Sequence, residues 1–431
     1  MSRWTVRHLD LAERPQALER PAGGGSVYAV FWWRDLPLGM RAFDPGELPL
    51  DRRGLEQVTV EFGAKIAAAR LAELGGPAPA GYDGRPQVAP ALSALAGLTR
   101  PLQRLDALAA LADRPAVDLS VIVCTRDRPE DLARCLAALA AQRSPPKEVI
   151  VVDNAPADGR TRAVVERFPG VRHLPEPRPG LSVARNAGVR AANGALIAFT
   201  DDDVKVSPSW TSELVRAFER SDAYCVTGLV LPAELDTAPQ ATFQVEMGGF
   251  GDNCIPTLFD RRFVETNLWE GVQVWRIGAG ANMAFRREVF ERVGLFDEGL
   301  GAGASGCSED SELWRRVLAA GGTCLYEPRA FVFHTHRRDW AALKGQMRAY
   351  MKGHVAALMA QRDRVGEPGA VRRVVVQLPK FFLRSAFGVL KNGATDKDRL
   401  LASQVAGWFS GLRYLWTGRR RPVPTLAGDA A

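Results

Sequence analysis

The feature that most constrains the fold is an alternation of short apolar runs and helical segments that begins after residue 118. The runs are rich in β-branched residues and lie at 119–124, 148–153, 171–174 and 195–201. Segments with the 3.6-residue periodicity of helices separate them. Strands that are apolar on both faces and joined by helices predict a mostly parallel sheet covered on both sides. The sequence therefore predicts a doubly wound α/β domain of the nucleotide-binding type.

Polar side chains follow three of these runs at the point where each run ends. They are Thr125, Arg126 and Arg128 after the first run, Asp153 at the end of the second, and Asp201, Asp202 and Asp203 at the end of the fourth. Ligands of such sheets bind outside the carboxyl ends of the strands. Asp153 is therefore a candidate acceptor of hydrogen bonds from a base or ribose, and Arg126 and Arg128 are candidate phosphate contacts.

The three consecutive aspartates are the most distinctive of these clusters. Side chains alternate along a strand, so Asp201 and Asp203 present two hard oxygen ligands on one side of the chain. This arrangement favours a site for a divalent metal ion. The alternative is that the aspartates only solvate the exit of a strand.

A second candidate element opens a helix near the same rim. Gly180–Gly188 contains Arg185 and Asn186, both of which could reach a bound nucleotide. An Arg-Asn pair at the start of a helix is also a common capping or surface feature.

The parts of the chain outside 118–340 have a different character. Residues 1–115 predict a separate module of unassigned role, with a strand at 27–34, a helix at 63–74 and a loop at 75–86. Residues 341–431 predict a basic helical extension.

The charge is concentrated in this extension. The net charge is +7, yet residues 340–431 alone carry 16 Lys and Arg against 5 Asp and Glu. Aromatic residues and basic residues alternate at 374–391 and 400–421, which suits either an interfacial helix on anionic lipid or a helix that packs on the catalytic domain.

Composition places the chain among ordinary globular proteins of a reducing compartment. Six scattered cysteines show no paired spacing, and no apolar run reaches the length of a membrane span. The amino terminus lacks the apolar core of a signal peptide. We therefore expect a cytoplasmic protein that could be peripheral on the inner face of the plasma membrane.

Four ordered motifs resemble those of family 2 glycosyltransferases with a GT-A fold. They are Ser120–Arg128, Val151–Asn154, Pro179–Gly188 and Phe199–Asp203. The resemblance runs from about 118 to 336. It implies transfer of a sugar from a nucleotide-diphosphate donor to a saccharide or lipid-linked acceptor, with inversion at the anomeric carbon. It also implies Mn2+ or Mg2+ at the Asp-x-Asp motif, with a role in cell-surface polysaccharide or glycolipid synthesis.

The resemblance extends to residues further along the chain. By the family pattern Asp310 is the catalytic base, Glu309 and Asn282 lie on the acceptor side, Trp269 lies in the variable acceptor-facing region, and His334 is a further metal or diphosphate ligand. Each of these residues also has a purely structural explanation. Glu309 and Asp310 could only stabilise the dipole at the N-terminus of a helix, and His334 could be an ordinary histidine at the end of a strand.

Other function classes fit the sequence less well. A nucleotidylyltransferase usually has a glycine-rich loop after its first strand, and residues 125–129 contain no glycine. An aspartate phosphatase has the motif Asp-x-Asp-x-Thr/Val, but Lys205 stands at the position of the Thr or Val. An EF-hand calcium loop needs glycine at its sixth position, where this chain has Val206. No nucleic-acid-binding module accompanies the basic extension, so no nucleic acid partner is expected. A non-catalytic sugar-nucleotide-binding protein of this fold remains the alternative from a different class.

Overall fold

The structure, a computed structural model, describes residues 4–70, 105–108, 117–251, 253–417 and 422–426. The predicted loop at 75–86 and the basic cluster at 419–421 lie outside the described residues, as does the end of the helix predicted at 63–74.

In the residues that the structure describes, the amino-terminal module has a three-stranded sheet, a separate two-stranded sheet and a long helix. Its elements are β1 (Trp4–Asp10), β2 (Ala17–Leu18), β3 (Ser26–Trp33), β4 (Leu36–Phe43), β5 (Leu50–Asp51) and α1 (Arg52–Ala69). β3 is central, parallel to β1 and antiparallel to β4, and every one of its side chains is buried. The strand predicted at 27–34 is thus confirmed, and its tryptophans Trp32 and Trp33 belong to the core.

The predicted α/β domain is confirmed as a nine-stranded sheet covered by helices. Its strands are β6 (Val117–Thr125), β7 (Pro146–Asn154), β8 (Val171–Glu176), β9 (Leu196–Asp201), β10 (Val204–Val206), β11 (Cys225–Pro232), β12 (Thr257–Phe259), β13 (Asn282–Arg286) and β14 (Cys324–His334). The strand order is β10-β14-β11-β13-β9-β6-β7-β8, and β12 pairs with β14.

Four neighbouring strands of the sheet, β9, β6, β7 and β8, are parallel, so their carboxyl ends meet at one edge. β13 joins this group in antiparallel orientation. The sequence predicts two strands between 323 and 336, but the structure has the single strand β14, because β11 pairs with it continuously across a local irregularity.

Helices pack on both faces of this sheet and lead into the carboxyl-terminal extension. They are α2 (Pro129–Ala140), α3 (Arg160–Val165), α4 (Leu181–Ala191), α5 (Trp210–Glu219), α6 (Ala238–Ala241), α7 (Arg261–Asn267), α8 (Glu288–Val293), α9 (Glu309–Ala319), α10 (Trp340–Val365), α11 (Gly369–Arg372), α12 (Leu378–Asn392) and α13 (Leu401–Thr417). Two π-helical turns, Thr242–Glu246 and Arg373–Gln377, follow α6 and α11.

The amino-terminal module packs directly on β14. The Trp32 and Phe331 rings lie 4.8 Å apart between centroids. Arg70 Nη2 lies 2.5 Å from Glu327 Oε1, and both side chains are fully buried. A buried pair broken on one side costs about 3–5 kcal/mol, so this contact couples the module firmly to the α/β domain.

The extension packs through α10, which contacts α9 and α13. Gly407 and Gly411 let α13 approach α10 closely, since a Cβ at Gly407 would lie 2.5 Å from the Arg348 carbonyl oxygen. Among the helices of the described residues, none combines the length and apolar character needed to cross a membrane.

Candidate active site

A large cleft opens at the carboxyl ends of β6 and β9 and beneath the start of α9. It is lined by ten of the side chains singled out from the sequence, namely Thr125, Arg126, Arg128, Arg185, Asp201, Asp202, Asp203, Glu309, Asp310 and His334. Strand ends and the first turn of a helix bring them together, although Thr125 and His334 lie more than two hundred positions apart in the sequence.

Asp202 connects the ends of β9 and β6. Its Oδ2 accepts from Thr125 Oγ1 at 2.7 Å, and its Oδ1 accepts from Arg128 Nη1 at 3.1 Å. Burial raises the pKa of Asp202 to about 7, while the charge of Arg128 acts in the opposite direction. Asp202 therefore orients Thr125 and Arg128 toward the cleft, whereas Arg126 is exposed at its edge.

Asp203 faces His334 because β10 pairs with β14 immediately after the aspartates. Asp203 Oδ1 is buried without a hydrogen-bond partner, and it lies 3.6 Å from His334 Nε2. Its other oxygen, Oδ2, lies 3.4 Å from Arg128 Nη1 and 3.5 Å from Arg337 Nη1. Burial lowers the pKa of His334, so its ring is neutral at pH 7.

This donor set fits a divalent cation shared with a substrate. Within the described ranges, no group of three or more His, Cys, Asp or Glu side chains forms a complete metal site. Mg2+, however, usually takes one or two carboxylates and completes its coordination with substrate phosphates and water. The orphaned carboxylate oxygen of Asp203 meets that description. The imidazole nitrogen of His334 beside it offers a further ligand, and Asp201 lies close enough to interact electrostatically with both residues.

The opposite part of the cleft centres on a buried arginine. Arg185 Nη1 lies 2.5 Å from Glu309 Oε1, and Arg185 Nη2 lies 3.5 Å from Asp201 Oδ1. Arg185 Nη2 also donates to the Gly280 carbonyl at 3.2 Å. Burial raises the pKa of Glu309 to about 7; Arg185 opposes this rise and Asp310 adds to it.

Asp310 lies in the first turn of α9 and is half-buried. Its Oδ1 accepts from the backbone N–H of Ser311 at 2.6 Å. A Cβ added at Gly280 would come within 2.9 Å of Asp310 Oδ2 and 3.0 Å of Arg185 Nη2. Gly280 therefore leaves the room that allows Asp310 and Arg185 to approach the same point of the cleft wall.

Two predicted nucleotide contacts, Asp153 and Asn186, do not line the cleft. Asp153 is buried at the end of β7, where its Oδ2 lies 3.0 Å from His173 Nε2, and Asn154 lines the cleft in its place. The side-chain amide of Asn186 forms two hydrogen bonds with the backbone of Phe296: its Nδ2 donates to the carbonyl at 3.0 Å, and its Oδ1 accepts from the N–H at 2.9 Å. The prediction for Asn186 is corrected accordingly, because its amide fastens α4 to the segment before α9.

Two predicted acceptor-side residues also lie away from the cleft. Trp269 is 71% exposed on the outer surface. Asn282 is fully buried: its Oδ1 accepts from Trp210 Nε1 at 2.8 Å and its Nδ2 donates to the Ala330 carbonyl at 2.7 Å. Neither side chain lines the cleft. The prediction for Asn282 is corrected because its amide is buried and bonded within the protein, whereas the acceptor contact of Trp269 stays a prediction.

The carboxyl-terminal extension contributes a wall of the cleft that no sequence pattern indicates. Trp275 lines the cleft, with Arg373 Cζ 4.4 Å from its ring centroid and the His354 ring 4.9 Å away in a T-shaped contact. Nothing in the sequence distinguishes Trp275 from Trp269, since its position depends on α10 and the turn after α11. Arg337 was also missed, although it directly follows the two histidines.

Comparisons with known proteins give the family of the chain. The profile described as Glycosyl transferase family 2 matches residues 120–294. The chain is 31% identical over 233 residues to the succinoglycan biosynthesis protein ExoM of Rhizobium meliloti (strain 1021), which covers 52% of this chain and 69% of that protein. It is 30% identical over 303 residues to ExoO of the same organism, covering 65% and 82%.

A likeness among solved structures is more distant. The mannosyltransferase PcManGT from Pyrobaculum calidifontis, in complex with GDP-Man and Mn2+, has a TM-score of 0.47 and 18% identity over 72% of this chain and 91% of that chain. The assignment depends instead on the profile and on two relatives matched over more than two thirds of their length. By these matches and its sheet topology, the chain belongs to glycosyl transferase family 2 and has the GT-A fold that its motifs predict.

Proposed function

We propose that this glycosyltransferase moves a hexosyl group from a nucleotide-diphosphate sugar to an acceptor hydroxyl, with inversion, and that Asp310 is the general base. The observation that carries the proposal is that Asp310 lines the same cleft as Asp201 and Asp203. The names of the relatives ExoM and ExoO support a role in the synthesis of a cell-surface polysaccharide or glycolipid.

The donor diphosphate is expected at the end of β9. Arg128 and Arg337 flank Asp203 there, and guanidinium groups suit phosphate oxygens because they offer several donors in one plane. Asp203 and His334, with Asp201 beside them, would hold Mn2+ or Mg2+. When bound, such a cation supplies positive charge to the oxygens of the departing nucleotide.

The acceptor hydroxyl is expected beside α9. A hydroxyl is a poor nucleophile at neutral pH, so a carboxylate within hydrogen-bond reach must take its proton as it attacks. Asp310 is half-buried, and its Oδ2 is directed toward Gly280. Glu309, by contrast, forms an ion pair with Arg185. Direct displacement with one base gives inversion. Trp275 lines the cleft and is 38% exposed, so its ring is a candidate contact for the sugar of the acceptor.

We expect a nucleotide panel to test this function most directly. Thermal stabilisation of the full chain is measured with UDP, GDP, dTDP and CMP and their sugar conjugates, with and without Mn2+. A ligand at 100 times its Kd stabilises by about 2.7 kcal/mol, so the cognate nucleotide should stand out, and only with Mn2+. Transfer with that donor should stop in excess EDTA, while EDTA presaturated with Mn2+ serves as the control.

The outcomes of this experiment separate the alternatives. Binding of a nucleotide sugar without transfer to any saccharide or lipid-linked acceptor would favour a non-catalytic binding protein. Undiminished transfer in excess EDTA would remove the cation from the proposal. No stabilisation by any nucleotide would contradict the donor class itself.

We also propose that the extension meets an anionic membrane surface, on the inner face of the plasma membrane. Exposed apolar side chains recur along one side of α12, with Leu383 at 71%, Phe387 at 67% and Leu390 at 84% exposure. Lys380, Arg384 and Lys391 lie among them and are exposed. This combination of an apolar face and flanking basic residues is typical of interfacial helices.

The variant Phe387→Ser/Leu390→Ser tests this surface. Burying one large apolar side chain is worth about 1.5–3 kcal/mol, so we expect the variant to bind vesicles of 30% phosphatidylglycerol at least tenfold more weakly. Val60→Ser on α1, where Val60 is 65% exposed, is the matched control and should bind as the wild type does. Equal cosedimentation of the double variant and wild type would refute the proposal.

A further inference from the structure

A buried chain of hydrogen bonds runs from His334 to the amino-terminal sheet. His334 Nδ1 lies 3.0 Å from His336 Nδ1, and His336 Nε2 lies 2.9 Å from Gln244 Oε1. Gln244 Nε2 donates to Tyr28 Oη, in β3, at 3.0 Å. All four side chains are at most 5% exposed. Beyond His334, the transfer chemistry proposed above makes no use of this chain.

Counting hydrogens along the chain determines which nitrogen of each imidazole is protonated. A neutral imidazole has one N–H, and an amide oxygen can only accept. His336 therefore donates from Nε2 to Gln244 Oε1, which leaves a lone pair on its Nδ1. His334 must then donate from its own Nδ1. The consequence is that His334 Nε2 presents a lone pair.

That lone pair faces another acceptor. Asp203 Oδ1 lies 3.6 Å from His334 Nε2, and it is buried without a hydrogen-bond partner. Two acceptors that face each other are unfavourable unless a cation, or a water molecule that donates to both, lies between them. If the Gln244 amide were reversed, its NH2 group would donate to His336, and the proton order along the two imidazoles would reverse, so that His334 Nε2 carried an N–H. That N–H would be expected to donate to Asp203 at about 2.7–3.2 Å. The longer separation favours two lone pairs.

The surroundings hold the chain in this arrangement. The Phe243 ring contacts the His336 ring edge-on at 4.9 Å, and the Phe250 ring contacts the His334 ring in the same way at 4.9 Å. Gln244 lies in the π-helical turn Thr242–Glu246, and such turns occur often at functional sites.

We propose that His336, Gln244 and Tyr28 are positioning residues that hold His334 in the tautomer able to ligate a divalent cation together with Asp203. This inference rests on the proposed metal-dependent function. It also gives the amino-terminal module a task, because Tyr28 receives the last hydrogen bond of the chain and so helps to orient the Gln244 amide.

The test is Mn2+ binding to the full chain without nucleotide, measured from the electron paramagnetic resonance signal of free Mn2+. Gln244→Met keeps the length of the side chain but removes the acceptor, and we expect Mn2+ affinity to fall about 10- to 100-fold, as for other partners of metal ligands. Gln244→Glu keeps an acceptor toward His336 and should retain affinity within about threefold on the same scale. Tyr28→Phe should give a smaller loss in the same direction.

Gln142→Met is the matched control, since Gln142 is a buried amide that hydrogen-bonds the Ser207 carbonyl and Thr211, away from the cleft. It should bind Mn2+ as the wild type does. If Gln244→Met does not fold, the inference is tested by comparing the Mn2+ affinities of Tyr28→Phe and Gln244→Glu. A purely packing role would make Gln244→Glu as poor as Gln244→Met.

The outcomes distinguish this inference from the function on which it rests. Loss of Mn2+ binding in Asp203→Asn together with wild-type binding in Gln244→Met would overturn the positioning chain and leave the metal site intact. Binding in Asp203→Asn and His334→Ala equal to the wild type, or no binding by the wild type even when saturating UDP or GDP is added, would overturn the metal site and the inference together.

Discussion

Asp310→Asn is expected to lose transfer by about two to four orders of magnitude while it still binds the donor nucleotide with Mn2+. A general base contributes about 10²–10⁴-fold, and asparagine cannot accept the proton of the attacking hydroxyl. The substitution is nearly isosteric, and the oxygen of the introduced amide can still accept from the backbone N–H of Ser311. Single-turnover transfer and thermal stabilisation by the nucleotide are the two measurements.

Glu309 is the rival for the same role and provides the decisive contrast. Burial raises the pKa of Glu309 to about 7, near the value that suits a general base, and its Oε2 has no hydrogen-bond partner. If Glu309→Gln lost transfer while Asp310→Asn kept it, the base would be Glu309. Asp222→Asn, a substitution on the exposed loop after α5, controls for the change in charge and should be as active as the wild type.

Arg185→Met is expected to reduce the free energy of unfolding by about 3–5 kcal/mol at pH 7.5. Removing one partner of a buried ion pair leaves an uncompensated charge, and here Glu309 at 2.5 Å and Asp201 at 3.5 Å would both lose their cation. Equilibrium unfolding in urea measures the loss. Arg292→Met, on the exposed surface, should change stability little.

The size of this loss should depend on pH. Burial raises the folded-state pKa of Glu309 above its ordinary value to about 7, so its contribution to stability is fully present below about pH 4.5 and is lost as the pH rises through 7. Without Arg185 the carboxyl holds its proton more strongly, so the penalty at pH 5.5 should be smaller than at pH 7.5. An equal loss at both values, or no recovery in Arg185→Met/Glu309→Gln, would contradict the role of this pair.

Much of the α/β domain could be predicted because its signals are local. The β-branched runs and the helical period between them appear in the structure as β6, β7, β8 and β9 with their helices. The rule that ligands meet the carboxyl ends of parallel strands was sufficient to predict a shared rim for Thr125, Arg128 and Asp201–Asp203.

The errors arose where a polar side chain has two possible partners, a ligand or the backbone of a distant segment. Asn186 and Asn282 carry amides that could bind a substrate, yet each is satisfied by the backbone a long way off in sequence. Burial without satisfaction would cost about 1–3 kcal/mol per group, so such amides are fixed by packing that no local pattern reveals.

The sequence by itself determined the strands β6 to β9, the helices between them and the aspartates at the end of β9, because periodicity and the chemistry of consecutive carboxylates are properties of neighbouring residues. Only the tertiary structure decided that Trp275 rather than Trp269 lines the cleft, that Arg185 lies between Glu309 and Asp201, and that His334 connects to Tyr28. These relations join residues tens to hundreds of positions apart, and they depend on how the helices and sheets pack around one cleft.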